Sequence, residues 1–210
     1  MRNREWKRMN ETFKVMEERS SVRLYQKDKE IPTETLHKIF EMAGKAPSAW
    51  NLQHWRFIVV TSQEQKEKLF PIAYNQKHVL DASAVVVVLG DTEADKVAAE
   101  VFEKAPEEAR NTLLKNINSA YSQGRAMGER EALRNASLGA MQLMLAAKAV
   151  GIDSCPMTGF DHTAIVPALG IPERFIPVMM ITLGYADGPA KPTERFDVNR
   201  IVMHEKFEEK

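Results

Sequence analysis

The segment that most constrains the fold is a continuous apolar run at residues 84–89, with the sequence A-V-V-V-V-L. Its four consecutive valines favour a β-strand, and the lack of alternating polar residues predicts that both faces of this strand are buried. The run is far too short to cross a bilayer. The chain therefore needs a sheet in which this strand is central, and helices that cover that sheet.

The other elements follow from apolar periodicity and from turn residues. Besides the central run, the predicted strands are residues 55–61, 152–155, 177–184 and a terminal strand at 200–203. The predicted helices are residues 11–19, 33–45, 62–70, one or two within 93–123, 132–150 and 161–169, with a short helical segment within 75–81. The charged residues 1–11 form either a short arm or the start of the first helix. Strands and helices are mixed without strict alternation, which favours an α+β fold over a doubly wound one.

Three boundaries have specific signals. Ser62 and Gln65 have the spacing of a capping box, which predicts a helix start. The helix at 132–150 is apolar around most of its circumference, so it belongs in a core or an interface, and Gly151 closes it. Because the residue before Pro47 disfavours the α conformation, the preceding helix ends near residue 45 and a turn follows.

Composition narrows the class of protein. The length of 210 residues predicts one domain, residues 1–210. Lys+Arg and Asp+Glu both number 29, which argues against nucleic-acid binding driven by bulk charge. The lone Cys155 cannot form an internal disulfide and, with no apolar leader or membrane span in the sequence, predicts a cytoplasmic protein without a membrane partner.

Several catalytic devices are missing from the sequence. It has no Walker-type phosphate loop, no G-x-G-x-x-G fingerprint and no G-x-S-x-G elbow. The five histidines have no mutual metal-ligand spacing, which predicts no metal site. Cys155 is either a small buried hydrophobe or a nucleophile before the loop predicted at 156–160. If the chain is an enzyme, a bound cofactor is expected to carry the difficult step.

Two early segments carry the best candidates for a ligand site. The first segment is Arg19-Ser20-Ser21-Val22-Arg23, whose two guanidinium groups suit phosphate. The two arginines would lie on one helix face or around a ligand at a helix end. The alternative is that they are ordinary solvent-exposed residues at the end of a helix. Residues 47–51 are predicted to form a turn that carries small hydrogen-bond donors next to aromatic side chains. Together they suit a ligand with an anionic tail and a flat polar ring.

Five motifs, in order over nearly the whole chain, resemble the FMN-dependent nitroreductase family. They are Arg19-Ser-Ser-Val-Arg23; Ala46-Pro-Ser-Ala-Trp-Asn51-Leu-Gln-His-Trp55; residues 75–83; residues 142–151 followed by Pro156-Met-Thr-Gly-Phe160; and residues 178–184 with Lys191-Pro-Thr-Glu-Arg195. The resemblance implies a central, mostly antiparallel sheet flanked by helices. It also implies an intertwined homodimer with FMN at each of two sites in the interface.

The resemblance further implies cofactor-binding residues. Arg19 and Arg195 would hold the phosphate, while Ser21 and Arg23 would contact the ribityl chain and the pyrimidine edge. The other implied contacts are Ser20, Pro47, Ser48, Ala49, Asn51, Asn75, His78, Asn135, Pro156, Met157, Thr158 and Gly159. Within this set, residues 47–51 would reach the FMN that is bound mainly by the other subunit.

The implied activity is that of an NAD(P)H oxidoreductase. NADH or NADPH would deliver hydride to flavin N5, and a nitroaromatic, quinone or similar flat acceptor would then be reduced at the same face in a ping-pong scheme. The chemistry would need no catalytic side chain. Two alternatives stay open: an FMN-binding protein for storage or sensing without turnover, and another flavin chemistry on the same fold.

Two histidines depart from the family pattern. His54 stands where a proline is common, and His78 stands where many relatives carry a lysine. A neutral His78 would leave Arg23 as the main positive charge near the flavin edge. Residues 93–130 are expected to form much of the substrate entrance, with Phe102, Tyr121 and Arg125 as candidates against the simpler expectation of a solvated helix pair.

Overall fold

The computed structural model describes residues 11–208 of the chain. A four-stranded sheet organises this part, with the strand order β1-β2-β4-β3 and every neighbouring pair antiparallel. The strands are β1 (Trp55–Val60), β2 (Ala84–Asp91), β3 (Asp153–Met157) and β4 (Phe175–Gly184). The helices are α1 (Glu11–Glu18), α2 (Thr33–Ala43), α3 (Gln63–Ile72), α4 (His78–Asp81), α5 (Ala98–Val101), α6 (Glu107–Tyr121), α7 (Arg125–Ala149), α8 (Ile165–Leu169) and α9 (Val198–Ile201). The predictions of an α+β fold and of a central, mostly antiparallel sheet are confirmed.

Strand β2 is buried along its whole length, as the apolar run predicts. Val86 and Val88 pack into one core with residues of α2 and α7. Val85 and Val87 point to the opposite face and pack with residues of α3 and α8. Successive side chains of a strand alternate between faces, so a strand covered by helices on both sides needs apolar residues at every position.

Helix α7 lies across one face of the sheet and approaches it unusually closely. A Cβ added to Gly128 would lie 2.0 Å from the carbonyl oxygen of Thr92, and one added to Gly139 would lie 3.0 Å from the Trp55 ring. Small residues at these positions let the helix backbone contact the strands directly. The helix begins at Arg125, seven residues before the predicted start. The prediction missed its first two turns because they are largely polar and carry no apolar stripe.

The capping signals hold in the structure. The Ser62 hydroxyl accepts a hydrogen bond from the backbone N–H of Gln65 at the start of α3. Gly151 follows the end of α7 with a φ of +79°, in the left-handed region that favours glycine. Asp161 Oδ1 accepts from the N–H groups of Thr163 and Ala164 just before α8, at the start of the helix predicted at 161–169.

Two predictions near the C-terminal half are wrong, and one falls outside the described residues. The predicted strand at 200–203 overlaps the short helix α9, which the Asp197 carboxylate caps by accepting from Asn199 N–H. Pro156 and Met157 belong to β3 and not to a loop; β3 is an edge strand, where proline is tolerated. The prediction of an arm or helix start at residues 1–11 lies outside the described residues except for Glu11. Within residues 11–208, no helix has the length and apolar character of a membrane span.

Candidate functional site

The segment at residues 19–23 is extended and lies beside β3. Helix α1 ends at Glu18, and Val22 N–H donates to the carbonyl of Ser154, 3.0 Å away. Ser21 pairs with Ser154 in a parallel bridge. Because alternate side chains of an extended segment point to opposite sides, Ser21 and Arg23 face away from buried Val22. Of the two predicted arrangements, the structure therefore has the arginines at a helix end.

Positive charge collects at this edge without a carboxylate partner. Within residues 11–208, neither Arg19 nor Arg23 forms a salt bridge or a side-chain hydrogen bond. Burial raises the pKa of the Cys155 thiol, while the nearby Arg23 and Arg19 guanidiniums act to lower it. The buried thiol with its raised pKa favours the small-hydrophobe interpretation of Cys155 over the nucleophile.

His78 on α4 belongs to the same neighbourhood. Burial lowers the pKa of this imidazole, the Arg23 guanidinium lowers it further, and Asp81 acts in the opposite direction. His78 is therefore neutral at pH 7, which leaves the arginines as the source of local charge. Two buried atoms, His78 Nε2 and Ser154 Oγ, have no hydrogen-bond partner among the described residues.

Two loops join this edge from the same side. Gln76 Nε2 donates to the carbonyl of Gly159 at 2.7 Å, which ties the segment after α3 to the loop after β3. Asn75 has a φ of +56° and is exposed, as are Thr158 and Gly159. Met157, in contrast, has its side chain in the core that contains Val85, so only its backbone is free to face a ligand. Gln76 was not among the predicted residues, and nothing in its sequence context marks it.

The C-terminal segment contributes one further cation. Residues 188–191 and residues 21–24 line a cavity of about 330 Å³, so Lys191 shares a cavity with Ser21 and Arg23. Arg195 lies further along the exposed tail, where its guanidinium donates only to the carbonyls of Thr193 and Glu194. We call residues 19–23, 75–78, 156–159 and 188–191 the β3 group.

The turn at residues 47–53 is strained and lies at the opposite edge, before β1. Trp50, Asn51 and Gln53 have φ values of +49°, +55° and +49°. Each non-glycine residue in the left-handed region costs on the order of 1–3 kcal/mol and is retained only where surrounding contacts impose it. Ser48 Oγ accepts from Gln53 N–H at 3.0 Å and closes the turn.

Buried polar side chains hold this turn from two helices. Ala49 N–H donates to Asn135 Oδ1 of α7 at 2.8 Å, and Asn135 Nδ2 donates to Glu131. His54 is fully buried and its Nε2 lies 2.8 Å from the hydroxyl of Tyr121 on α6. The sequence marked Asn135, His54 and Tyr121 only through the resemblance, and Glu131 carried no signal at all.

The β3 group and the turn are far apart within one chain. Ser21 pairs with Ser154 of β3 at the outer edge of the sheet. Ser154 is paired with Leu183 of β4, and Leu183 is paired with Ala84 at one end of β2. The carbonyl of His54 accepts from Asp91 N–H at the other end of β2. Four strand spacings of about 4.8 Å and seven residues of about 3.3 Å separate the two sites, so they lie more than about 20 Å apart on a diagonal of the sheet.

These features define an α+β protein with a cationic, phosphate-suited edge and a strained turn at the opposite corner of its sheet. The chain belongs to the nitroreductase family: the sequence model of the "Nitroreductase family" matches residues 16–185. The chain is 42% identical over 199 residues to "Putative NAD(P)H nitroreductase YodC" of Bacillus subtilis, with 92% of this chain and 98% of that protein covered.

Solved structures agree with this assignment. The crystal structure of the putative nitroreductase ydfN from Bacillus subtilis superimposes on this protein with a TM-score of 0.89 and 37% sequence identity. The match covers 92% of this chain and 98% of the ydfN chain. A putative nitroreductase from Exiguobacterium sibiricum, solved in complex with FMN, has a TM-score of 0.86 and 32% identity, covering 93% of this chain and 97% of its own.

Proposed function

We propose that the protein is an FMN-dependent NAD(P)H oxidoreductase that works as a homodimer and reduces nitroaromatic, quinone or related flat acceptors. The observation that carries this proposal is the pair of arginines, Arg19 and Arg23, which have no anionic partner in the described chain and lie beside a loop cluster rich in exposed backbone. The family relationship and the FMN-containing relative support the identity of the ligand.

The donor set of the β3 group fits FMN. A phosphate monoester needs about two positive groups, and Arg19, Arg23 and Lys191 offer three guanidinium or ammonium groups at this edge. The unpartnered polar atoms of His78 and Ser154 are in keeping with a polar ligand at this edge. When bound, FMN would supply the hydride chemistry, taking electrons from NAD(P)H and passing them to the acceptor.

The side chains have roles in binding and electrostatics. Reduction places negative charge on the pyrimidine edge of a flavin, and a positioned guanidinium beside that edge stabilises such charge. We assign this role to Arg23, because the neighbouring His78 is neutral at pH 7. The exposed segment at Thr158 and Gly159 would lie along one face of the ring and leave the other face for NAD(P)H and the acceptor in turn.

The distance between the β3 group and the turn supports a dimeric site. One FMN cannot contact both within a single chain, because they lie more than about 20 Å apart at opposite corners of the sheet. Helix α7 also exposes Leu133, Leu138 and Met141, which are between 42% and 47% accessible in the single chain. Apolar side chains in a row on one helix suit burial against a second copy.

The exposed tail offers matching apolar surface. Phe196, Val198 and Ile201 are each more than 60% accessible, although they are large and hydrophobic. A groove between α1, α2 and α7, with a volume of about 510 Å³, is lined by Val15, Ile39, Leu145 and their neighbours. In the proposed homodimer these surfaces are covered by the partner, and the turn of one chain meets the β3 group of the other.

One anaerobic experiment tests the proposal. The purified protein should bind one FMN per subunit, the flavin should bleach on addition of NADH or NADPH, and a quinone or a nitroarene should restore its colour. A protein that binds FMN but is bleached by neither nicotinamide would be a storage or sensing protein and would contradict the oxidoreductase. A folded apoprotein without affinity for FMN would overturn the whole proposal.

A further inference from the structure

We propose that Asn135, oriented by Glu131, is a positioning residue that fixes the strained turn at residues 47–53 in the conformation that binds FMN. The inference rests on the proposed FMN site. The resemblance implies Asn135 as a direct contact of FMN, whereas the hydrogen bonds of its side chain point to an indirect role. Asn135 is only 4% exposed, and both of its polar atoms are engaged within the chain. It acts through Ala49, not by touching the reacting atoms.

The geometry forms a short relay from α7 to the turn. Asn135 Oδ1 accepts from Ala49 N–H at 2.8 Å, and Asn135 Nδ2 donates to the backbone carbonyl of Glu131 at 2.7 Å and to Glu131 Oε2 at 3.2 Å. The other carboxylate oxygen of Glu131 accepts from Arg134 Nη1 at 2.7 Å. Each member therefore has a defined partner, which is the condition under which a buried polar network fixes one arrangement.

Glu131 decides which way the Asn135 amide faces. A carboxylate and a carbonyl offer only acceptors, so the amide must turn its NH₂ group toward Glu131 and its oxygen toward Ala49. With the opposite orientation, two acceptors would face each other near Glu131, and two donors would face each other at Ala49. The orientation of the amide, and with it the acceptor for Ala49 N–H, thus depends on a residue that lies outside the turn.

The turn needs such an external hold. Trp50, Asn51 and Gln53 all have positive φ values, which non-glycine residues adopt only when contacts impose them. The hydrogen bonds within the turn, such as that from Gln53 N–H to Ser48 Oγ, are local to it. The bond from Ala49 to Asn135 connects the residue directly before the first strained position, Trp50, to α7, whose close packing on the sheet makes it a rigid support.

The test removes the two members of the relay singly and together. Asn135→Asp keeps an oxygen for Ala49 N–H but sets a carboxylate against both the carboxylate and the backbone carbonyl of Glu131. Glu131→Ala removes the carboxylate acceptor, and the double variant Glu131→Ala/Asn135→Ala completes the cycle. Asn135→Ala removes both bonds without burying a charge and serves if the aspartate variant does not fold. Thr112→Ala, which removes a side-chain bond to a backbone carbonyl on exposed α6, is the matched control.

Two readouts separate positioning from general stability. The first is hydrogen–deuterium exchange of the peptide that covers residues 46–52 in the folded apoprotein. The second is the Kd for FMN from fluorescence titration. Asn135→Asp and Asn135→Ala should speed exchange in this peptide, and Asn135→Ala should raise the Kd about 2- to 10-fold, the range for a neutral hydrogen bond such as that from Ala49 to Asn135. Because Glu131 acts through Asn135, the double variant should bind FMN with a Kd within about 2-fold of that of Asn135→Ala alone.

The outcomes are decisive in both directions. Unchanged exchange at residues 46–52 in the folded single variants would overturn the inference, and so would faster exchange with an unchanged Kd. A Glu131→Ala change that speeds exchange at residues 46–52 as much in the Asn135→Ala background as in the wild type would also contradict the relay. If the wild-type protein itself binds no FMN, the proposed function fails, while the exchange measurement still decides whether Asn135 holds the turn.

Discussion

His54 Nε2 lies 2.8 Å from the hydroxyl of Tyr121, so the residue that follows the strained turn is joined directly to the end of α6. His54 is fully buried, and its Nδ1 has no partner among the described residues. Around the turn, α5 and α6 pack on Leu52 and Trp50 in a small core of their own. The bond therefore couples the turn to the helices that the sequence placed at the substrate entrance.

Removal of the Tyr121 hydroxyl should destabilise the protein. In Tyr121→Phe a second imidazole nitrogen of His54 would be buried without a partner, which costs about 1–3 kcal/mol in free energy of unfolding. Urea unfolding of the apoprotein at fixed concentration measures the loss. Tyr74→Phe is the matched control, because Tyr74 is 64% exposed and the same change there should be neutral. Equal effects of the two substitutions would contradict a special role for the His54 bond.

Stability should fall on mild acidification. Burial lowers the pKa of His54, with Arg56 acting in the same direction and Glu131 and Asp91 opposing it; burial and Arg23 also lower the pKa of His78. The unfolded chain then takes up protons near the ordinary value of 6.5 while the native state does not. The free energy of unfolding therefore drops as the pH falls below about 6.5, and the drop ends below the folded-state pKa values.

Unfolding curves at about pH 7.5, 6.5 and 5.5 measure this slope while most carboxylates stay ionised. His54→Gln should flatten the slope, even if it is less stable at the highest pH. His37→Asn, a change at an exposed histidine, should leave the slope as in the wild type. A wild-type stability that is constant across this range would show that the buried histidines are not held neutral.

The sheet was predictable because its signals are local. Val85 to Val88 face two cores, so each position must be apolar, and that pattern is visible without any structure. Capping by Ser62 and Asp161 depends on residues two or three positions away, which a sequence also shows. The first turns of α7 were missed because Glu129 and Arg130 are polar, and tertiary packing of Gly128 on Thr92 holds them instead.

The site was predictable only in part, because much of it depends on distant partners. The arginines at 19 and 23 are recognisable as a phosphate motif, yet the bridge from Ser21 to Ser154 that fixes their direction spans most of the chain. The positive φ value at Trp50 carries no residue signature, because an aromatic residue rarely adopts it, although asparagine does so more readily at position 51. Likewise, only the fold brings Gln76 to Gly159 and Glu131 to Asn135.

Gly128→Ala should be strongly destabilising although alanine favours helices. The new Cβ would lie 2.0 Å from the Thr92 carbonyl oxygen, so α7 or the end of β2 must shift. Overpacking of this kind costs about 1–3 kcal/mol or more. Gly44→Ala is the matched control, because Gly44 has a φ of −64° and its nearest atoms would be 3.5 Å away. That change should be neutral or slightly stabilising, and thermal unfolding of both variants distinguishes the two cases.

Arg19→Ala should release FMN while the protein stays folded. Loss of one charge-assisted contact to a phosphate weakens binding by about 1.5–3 kcal/mol, which corresponds to a Kd about 10- to 100-fold higher. Arg19 makes no salt bridge within the described residues, so the thermal stability of the apoprotein should change little. Lys115→Ala, at an exposed position of α6, controls for the loss of a positive charge. If Arg19→Ala retains FMN, the phosphate is not bound by this segment.

Mixed dimers should reveal that one FMN is held by two chains. Arg19→Ala damages the β3 group, and Ser48→Trp blocks the turn without backbone strain, because Ser48 is extended with a φ of −148°. Neither variant alone should retain FMN. When the two are coexpressed, a mixed dimer has one site built from an intact β3 group and an intact turn and one site with both defects, so purified mixed dimers should hold about one FMN per dimer. If both groups served a site within one chain, every site would carry a defect and the mixture would stay colourless. Absorbance of the flavin in tandem-tagged, purified mixed dimers therefore decides between the two arrangements.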